Sequence, residues 1–123
     1  MYRVEHYVGR LVEIAISSPV SVDEAVAWGA AHDAVVDSVN GPYVCLVDLR
    51  GATVFPPEAV EAYVSVMKSE QELLCTGTLL PESSLVALQI ARMIREAGHP
   101  ERRPFEGTSE LFEWMAPKLT VLE

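Results

Sequence analysis

Oppositely charged side chains follow the most apolar run of the chain. Residues 44–47 (VCLV) form a short hydrophobic stretch, and Asp48 and Arg50 come directly after it. Such a run is typical of an interior parallel strand, and open parallel sheets bind ligands just beyond the carboxyl ends of their strands. Asp48 and Arg50 could therefore face a ligand, although we favour a structural ion pair or capping of the following turn.

The segment after this strand is the candidate binding rim. Its end, Pro56-Pro57-Glu58, predicts a helix start, because proline in the first turn loses no hydrogen bond and an acidic residue complements the helix dipole. The two prolines stiffen the segment, which lowers the entropic cost of docking. Phe55 is either an exposed aromatic anchor or an inward-facing core residue. The rim predicted to bind a partner or ligand consists of Asp48, Arg50, Thr53, Phe55, Pro56, Pro57 and Glu58.

This acidic chain has one cluster of basic residues. The cluster consists of Arg92, Arg95, Arg102 and Arg103. It could form a patch that holds an anion or an acidic partner. We favour the alternative of a solvated helix end that balances its own dipole and neighbouring glutamates.

The other polar residues do not assemble into a catalytic or metal-binding motif. Ser83 and Ser84 lack the flanking glycines of a nucleophile elbow, so helix capping explains them better. His6, His32 and His99 do not have metal-ligand spacing. No phosphate-binding loop or dinucleotide fingerprint occurs in the sequence. We therefore expect a non-enzymatic protein that needs no metal or cofactor.

Composition limits the class of protein and its partners. The chain has 123 residues, half of them hydrophobic, and a net charge of −9, which fits one domain over residues 1–123. Its acidic surface repels nucleic-acid phosphates and anionic lipid. No apolar run approaches the ~20 residues of a membrane span, and the N-terminus does not resemble a signal peptide. We expect a cytoplasmic protein in which Cys45 and Cys75 are buried, free thiols.

The order of hydrophobic patterns predicts an α/β fold, ββαβαβαβα. Residues 2–8 and 11–16 flank Gly9-Arg10 and indicate an antiparallel hairpin. Further strands are expected at 43–49 and 72–80, and Pro104 confines the last, short strand to a sheet edge. Four helices are expected at about 21–38, 57–69, 84–97 and 108–116, and the last should turn Leu111, Phe112 and Met115 inward. Strands that alternate with helices form a mostly parallel, five-stranded sheet with right-handed crossovers.

Sequential strand order would place every crossover helix on one face of the sheet. The opposite face would then be thinly covered, which favours self-association, so a homodimer is among our expectations. The aromatic residues Trp28, Tyr63 and Trp114 could line a small apolar cavity beneath the sheet, although core packing is their ordinary role.

Two stretches resemble the STAS superfamily, named for sulfate transporters and antagonists of anti-sigma factors. Val47-Asp48-Leu49-Arg50-Gly51 is similar to the family's strand end, D-L-S, and residues 56–60 stand where its next helix begins. The later stretch LLPESSLVALQIARMIREAG is closer to a bacterial STAS-like branch grouped with CRAL-TRIO lipid-transfer domains. The resemblance implies a single STAS-like domain that acts as a regulatory or protein-interaction module. Its alternative implication is a domain that binds or senses a small, lipid-like ligand in a pocket under the sheet.

One position departs from the family pattern. In the anti-sigma antagonists, a partner kinase phosphorylates a serine at this helix start. Here Pro57 stands at about that position, and the hydroxyl group nearby is that of Thr53. The resemblance therefore implies partner binding without the serine-phosphorylation switch.

Overall fold

The computed structural model describes residues 1–6, 9–17, 21–98 and 101–121. The strands are β1 (Tyr2–His6), β2 (Leu11–Ile16), β3 (Tyr43–Asp48), β4 (Leu73–Leu79) and β5 (Glu101–Phe105). The helices are α1 (Val22–Val39), α2 (Pro57–Ser69), α3 (Ser84–Ala97) and α4 (Thr108–Val121). The predicted order ββαβαβαβα is confirmed. Two predicted residues of the first strand, 7 and 8, and His99 lie outside the described residues.

The strands form one sheet in sequential order, β1-β2-β3-β4-β5. β1 pairs antiparallel with β2, and the three remaining pairs are parallel. The predicted mixed, mostly parallel sheet with an antiparallel N-terminal strand is therefore confirmed. β5 lies at an edge, as Pro104 requires, because a proline cannot donate a ladder hydrogen bond in an interior strand.

Local signals in the sequence set where the helices begin and end. The Ser21 hydroxyl accepts a hydrogen bond from the Glu24 backbone N–H at 3.2 Å, and Ser83 caps α3 in the same way. Pro57 is the first residue of α2, where its missing N–H costs nothing. Asn40 ends α1 in the left-handed conformation, at φ 57°, which asparagine adopts more readily than most residues.

The sheet has a hydrophobic cluster on each face. The larger cluster joins α1, α2 and α3 to the side chains that point to one face, among them Val12, Ile14 and Cys45. The smaller cluster packs Leu111 and Met115 of α4 on the opposite face, against residues such as those at 44, 46, 75 and 79. Cys45 and Cys75 are both buried, free thiols, as predicted. They belong to different clusters and so lie on opposite faces of the sheet.

The prediction for the last helix was wrong in two respects. α4 continues through Pro117 to Val121, and Phe112, expected to face inward, is 52 % exposed. Leu111 and Met115 are one helical turn apart and define the buried side, which turns Phe112 away from the sheet. Pro117 cannot donate a helical hydrogen bond, and Leu119 beyond it still packs against the smaller cluster.

α4 also covers much of the face that the sequence predicts to be thinly covered. Its close approach depends on Gly77, where a Cβ atom would stand 3.0 Å from both Leu111 Cγ and Met115 Cε. Only glycine therefore fits beneath the helix without displacing those side chains.

Phe55 is a core residue, so the alternative of an exposed aromatic anchor is wrong. Its side chain is 2 % exposed and lies beside the ring of Tyr63, at 5.7 Å between centroids. The Gln89 side chain makes two hydrogen bonds with the Phe55 backbone. Oε1 of Gln89 accepts from the Phe55 N–H at 2.9 Å, and Nε2 of Gln89 donates to the Phe55 carbonyl at 2.8 Å.

We predict that Phe55→Ala lowers the free energy of unfolding by about 3–5 kcal/mol, because it leaves a cavity in the core. Its neighbour Val54 is 54 % exposed, and Val54→Ala should change the same quantity by less than about 0.5 kcal/mol. Urea denaturation of the two variants measures both effects. Equal, small changes would contradict the inward position of Phe55.

Candidate functional site

A cavity of about 60 Å³ lies between the sheet and the layer of helices α1, α2 and α3. A water molecule needs roughly 10–15 Å³ of such space, so the cavity has room for a few waters or a ligand of a few heavy atoms. Most of its wall is apolar. The apolar lining includes Ile14, Ile16, Val47, Leu49, Ile90 and Met93.

Two neighbouring strands place polar side chains in this apolar wall. Thr76 of β4 pairs with Cys45 of β3 on one side and with Arg102 of β5 on the other. All three side chains point to the same face and line the cavity. The Arg102 side chain is only 2 % exposed, although arginine is seldom buried to this extent without a partner.

Four residues of the cavity lining carry buried polar atoms that lack a hydrogen-bond partner among the described residues. These atoms are Nε1 of Trp28, the hydroxyl of Tyr63, the hydroxyl of Thr76 and Nε of Arg102. A buried polar group without a partner costs about 1–3 kcal/mol, and most such groups in native proteins are paired. Each of the four can donate a hydrogen bond. Their common surroundings therefore favour a ligand, or water, that accepts hydrogen bonds.

A charged cluster stands at one end of the cavity and is centred on Glu70. The Glu70 side chain is 5 % exposed, and its Oε1 lies 3.2 Å from Nε2 of His32. Tyr43 donates its hydroxyl to Oε2 at 3.5 Å, and Nη2 of Arg102 lies 4.0 Å from the same oxygen. The Arg102 Nη2 also donates to the carbonyl of Met67 at 2.8 Å. The cluster consequently ties α1, α2, β3 and β5 together.

Burial and charge set the protonation of these groups. Burial lowers the pKa of His32, but the carboxylates of Glu70 and Asp33 raise it, and the net direction is upward from 6.5. Nε2 of His32 lies 3.2 Å from Glu70 Oε1 without the alignment of a hydrogen bond. Burial raises the pKa of Tyr63 to about 12, which keeps its phenol a donor. Burial also raises the pKa of Cys45, and a neutral thiol is a poor nucleophile.

Asp48 and Arg50, at the predicted rim, bind each other. Nε and Nη2 of Arg50 donate to the two carboxylate oxygens of Asp48 at 3.0 and 2.9 Å. The Arg50 hydrogen bond lowers the pKa of Asp48. The structural ion pair that we favoured is thus confirmed. Of the remaining rim residues, Phe55 is buried and Pro56 half-buried, and the exposed ones are Thr53, Pro57 and Glu58.

The predicted anion patch does not form as one surface. Arg92 and Arg95 are exposed on α3, whereas Arg103 lies over the ring of Phe105 on the face opposite Arg102. Successive residues of a strand point to opposite faces, so the adjacent Arg102 and Arg103 are separated by the sheet. Arg102 alone reaches the cavity.

The predicted aromatic lining is correct for two of its three residues. Trp28 and Tyr63 line the cavity and contact each other at 4.9 Å between centroids. Trp114 lies on the opposite face, 5.4 Å from Phe105. Sequence reasoning missed Glu70, because a glutamate after a helix is usually solvated. The alternation of Thr76 and Thr78 with apolar residues in β4 was the available signal for a polar cavity wall.

The described residues contain no group of three or more metal-ligating side chains. None of their helices is both long and apolar enough to cross a membrane.

Comparison of the chain with protein-family models, curated proteins and solved structures gave no match. The cavity, its unpaired donors and the Glu70 cluster are thus the observations from which a function can be inferred.

We predict that His32 makes stability depend on pH. Because its pKa in the folded state is raised above the unfolded value of about 6.5, protonated His32 stabilises the fold fully below that pH. This contribution is lost as the pH rises through the folded-state pKa. The unfolding free energy of the wild type should therefore fall more steeply above pH ~6.5 than that of His32→Gln.

Urea denaturation at a series of pH values measures this difference. The Asp48–Arg50 pair does not interfere, because a lowered carboxyl pKa affects stability only in acid, below the unfolded value of about 3.9. Parallel pH profiles for wild type and His32→Gln would contradict the prediction.

Proposed function

We propose that this chain is a non-enzymatic module that binds a small ligand in the cavity beneath its sheet. The observation that carries the proposal is one cavity lined by four residues whose donors are unpaired within the described structure. Ligand sites are typically apolar cavities with a few convergent polar groups. An unpaired donor destabilises the free protein, and a bound acceptor would remove that cost.

The size of the cavity and the charged residues in its wall support a small, polar ligand rather than the lipid-like one that the family resemblance implies. About 60 Å³ is less than the 150 Å³ or so of an engineered cavity that binds benzene. Charged side chains, Glu70 and Arg102, also line the wall, and an acyl chain would leave Nε of Arg102 without an acceptor.

Catalysis is not part of this proposal. The Cys45 thiol in the wall is fully buried with a raised pKa, which opposes nucleophilic chemistry. His32, the candidate base nearest the cavity, is held between two carboxylates, Glu70 and Asp33.

A STAS-like role in protein interaction is the second candidate, and exposed apolar side chains favour it. We define the apolar rim as Val22, Val26, Val54, Leu85 and Leu88, which are 39–69 % exposed. They lie near the N-terminal ends of α1, α2 and α3, which the parallel topology brings to the edge where the strands end. This proposal keeps the expected cytoplasmic location, and a second copy of the chain is the partner that can be tested directly.

We predict that self-association, if the apolar rim drives it, is weakened by Leu88→Asp, because the new charge must be desolvated in the interface. Phe112→Asp on α4 is the matched control, since Phe112 is also exposed, at 52 %, but lies on the other side of the molecule. Sedimentation velocity measures both. A wild type that stays monomeric at millimolar concentration would exclude a homodimer through this rim.

For the cavity, we predict that Thr76→Val separates stability from binding. The variant replaces an unpaired hydroxyl with a methyl group, so the free energy of unfolding should stay equal or rise by up to about 1 kcal/mol. Ligand affinity should fall about 2–10-fold, the equivalent of one hydrogen bond. Thr120→Val, at an exposed position of α4, is the control and should not change affinity.

The probes are alcohols, amides and carboxylates of two to four carbons, and the signal is the indole N–H resonance of Trp28. Native mass spectrometry of the freshly purified protein shows in addition whether a ligand co-purifies. If no probe moves the Trp28 resonance, the proposed function is wrong.

A further inference from the structure

We propose that the ligand of this cavity is a small carboxylate, and that the guanidinium group of Arg102 anchors it. This inference rests on the proposed ligand-binding function and names the chemical class of the ligand. Four observations support it: the unused N–H of Arg102, the position of Thr76, the charge of the surrounding cluster and the size of the cavity.

Arg102 is a buried cation whose partners do not satisfy it. Nη2 donates to the Met67 carbonyl at 2.8 Å, but its 4.0 Å separation from Glu70 Oε2 is too long for a hydrogen bond. Nε has no partner among the described side and main chains. Carboxylates are the usual ligands of guanidinium groups, because their oxygens match its planar array of N–H donors.

Thr76 is placed to share the same ligand. It is the register partner of Arg102 on the neighbouring strand, about 4.8 Å away across the sheet, and its hydroxyl is also unpaired within the described chain. Thr76 and Arg102 therefore stand side by side in the cavity wall, where a bound carboxylate would meet both side chains. Trp28 and Tyr63 offer their donors from the layer of helices, where they can bind the other oxygen or a bridging water.

The charge of the cluster suits an anion. The guanidinium of Arg102 is positive, and the raised pKa of His32 favours the positive form of its ring beside Glu70. Asp33, on the other side of His32, is 70 % exposed, and solvent screens its charge. Tyr43 donates to Glu70 and stabilises that carboxylate further. A bound carboxylate would pair with the Arg102 guanidinium, which has no hydrogen-bonded carboxylate of its own among the described residues, in a site where an unpaired charge is costly.

The size of the cavity restricts the ligand to a carboxylate with a short tail. The apolar wall, including Ile90 and Met93, fits one or two methyl or methylene groups beside the carboxylate. Acetate and propionate have these dimensions. Their few atoms limit the affinity, so a titration should extend from about 0.1 to 50 mM.

Two tryptophans make a direct test possible. In ¹⁵N-labelled wild-type protein, the indole N–H of Trp28 reports on the cavity, and that of Trp114, on the opposite face of the sheet, is an internal control. Trp114→Phe assigns the two resonances. The protein is titrated with sodium acetate, with its neutral isostere acetamide and with sodium chloride at matched ionic strength.

We expect acetate to shift the Trp28 resonance saturably and the Trp114 resonance little. Acetamide should bind at least about 10-fold more weakly, because hydrogen bonds to charged groups are stronger than neutral ones. Sodium chloride should have no saturable effect. If acetamide binds as well as acetate, the carboxylate inference is overturned and the ligand-binding function stands. If neither probe moves Trp28, both are overturned.

A variant tests the anchor itself. Arg102→Gln keeps an N–H donor but removes the charge, so acetate should lose its preference over acetamide. If circular dichroism shows that this variant does not fold, Arg102→Gln combined with Glu70→Gln removes the pair together and avoids an unpaired buried carboxylate. A folded variant that still prefers acetate at least about 10-fold would exclude Arg102 as the anchor.

Discussion

The buried carboxylate of Glu70 is the constraint on which much of this structure depends. It stands at the end of α2 with its side chain 5 % exposed, where an isolated charge would cost several kcal/mol. Three other elements supply the groups that surround it: His32 from α1, Tyr43 from β3 and Arg102 from β5. These groups surround the carboxylate, but each contact is long or poorly aligned. Nε of Arg102 is therefore left without a partner among the described residues.

The cavity and the Glu70 cluster show a conflict between stability and function. A hydrophobic core of this composition could bury valine or phenylalanine at positions 76 and 63, yet the protein has Thr76 and Tyr63, whose hydroxyls lack partners within the described structure. Proteins violate the rules of core packing mainly where a site requires it. The surrounding core, with Phe55 and Ile90 each 2 % exposed, supplies the rigidity that holds these groups in place.

Sequential strand order determines the rest of the architecture. Because right-handed crossovers of this order put α1, α2 and α3 on one face, the sheet would expose its other face without α4. The contact of α4 with Gly77, Cys75 and Leu79 covers that face. One face of the sheet therefore lines the cavity beneath α1, α2 and α3, and α4 alone packs on the other face.

The sequence by itself determined the α/β class, the order of elements and the helix starts, because these depend on local features: the apolar run at 44–47, the Ser21 and Ser83 caps and Pro57 at a first helical turn. It also indicated Trp28 and Tyr63 as cavity residues. Only the tertiary structure decided that Phe55 turns inward, that Arg102 and Arg103 part to opposite faces, and that Glu70 meets Arg102. The physical reason is that alternation along a strand makes adjacent side chains point to opposite faces of the sheet, which a sequence shows. Which of the two faces holds the cavity depends on strand register and on packing between segments distant in the sequence.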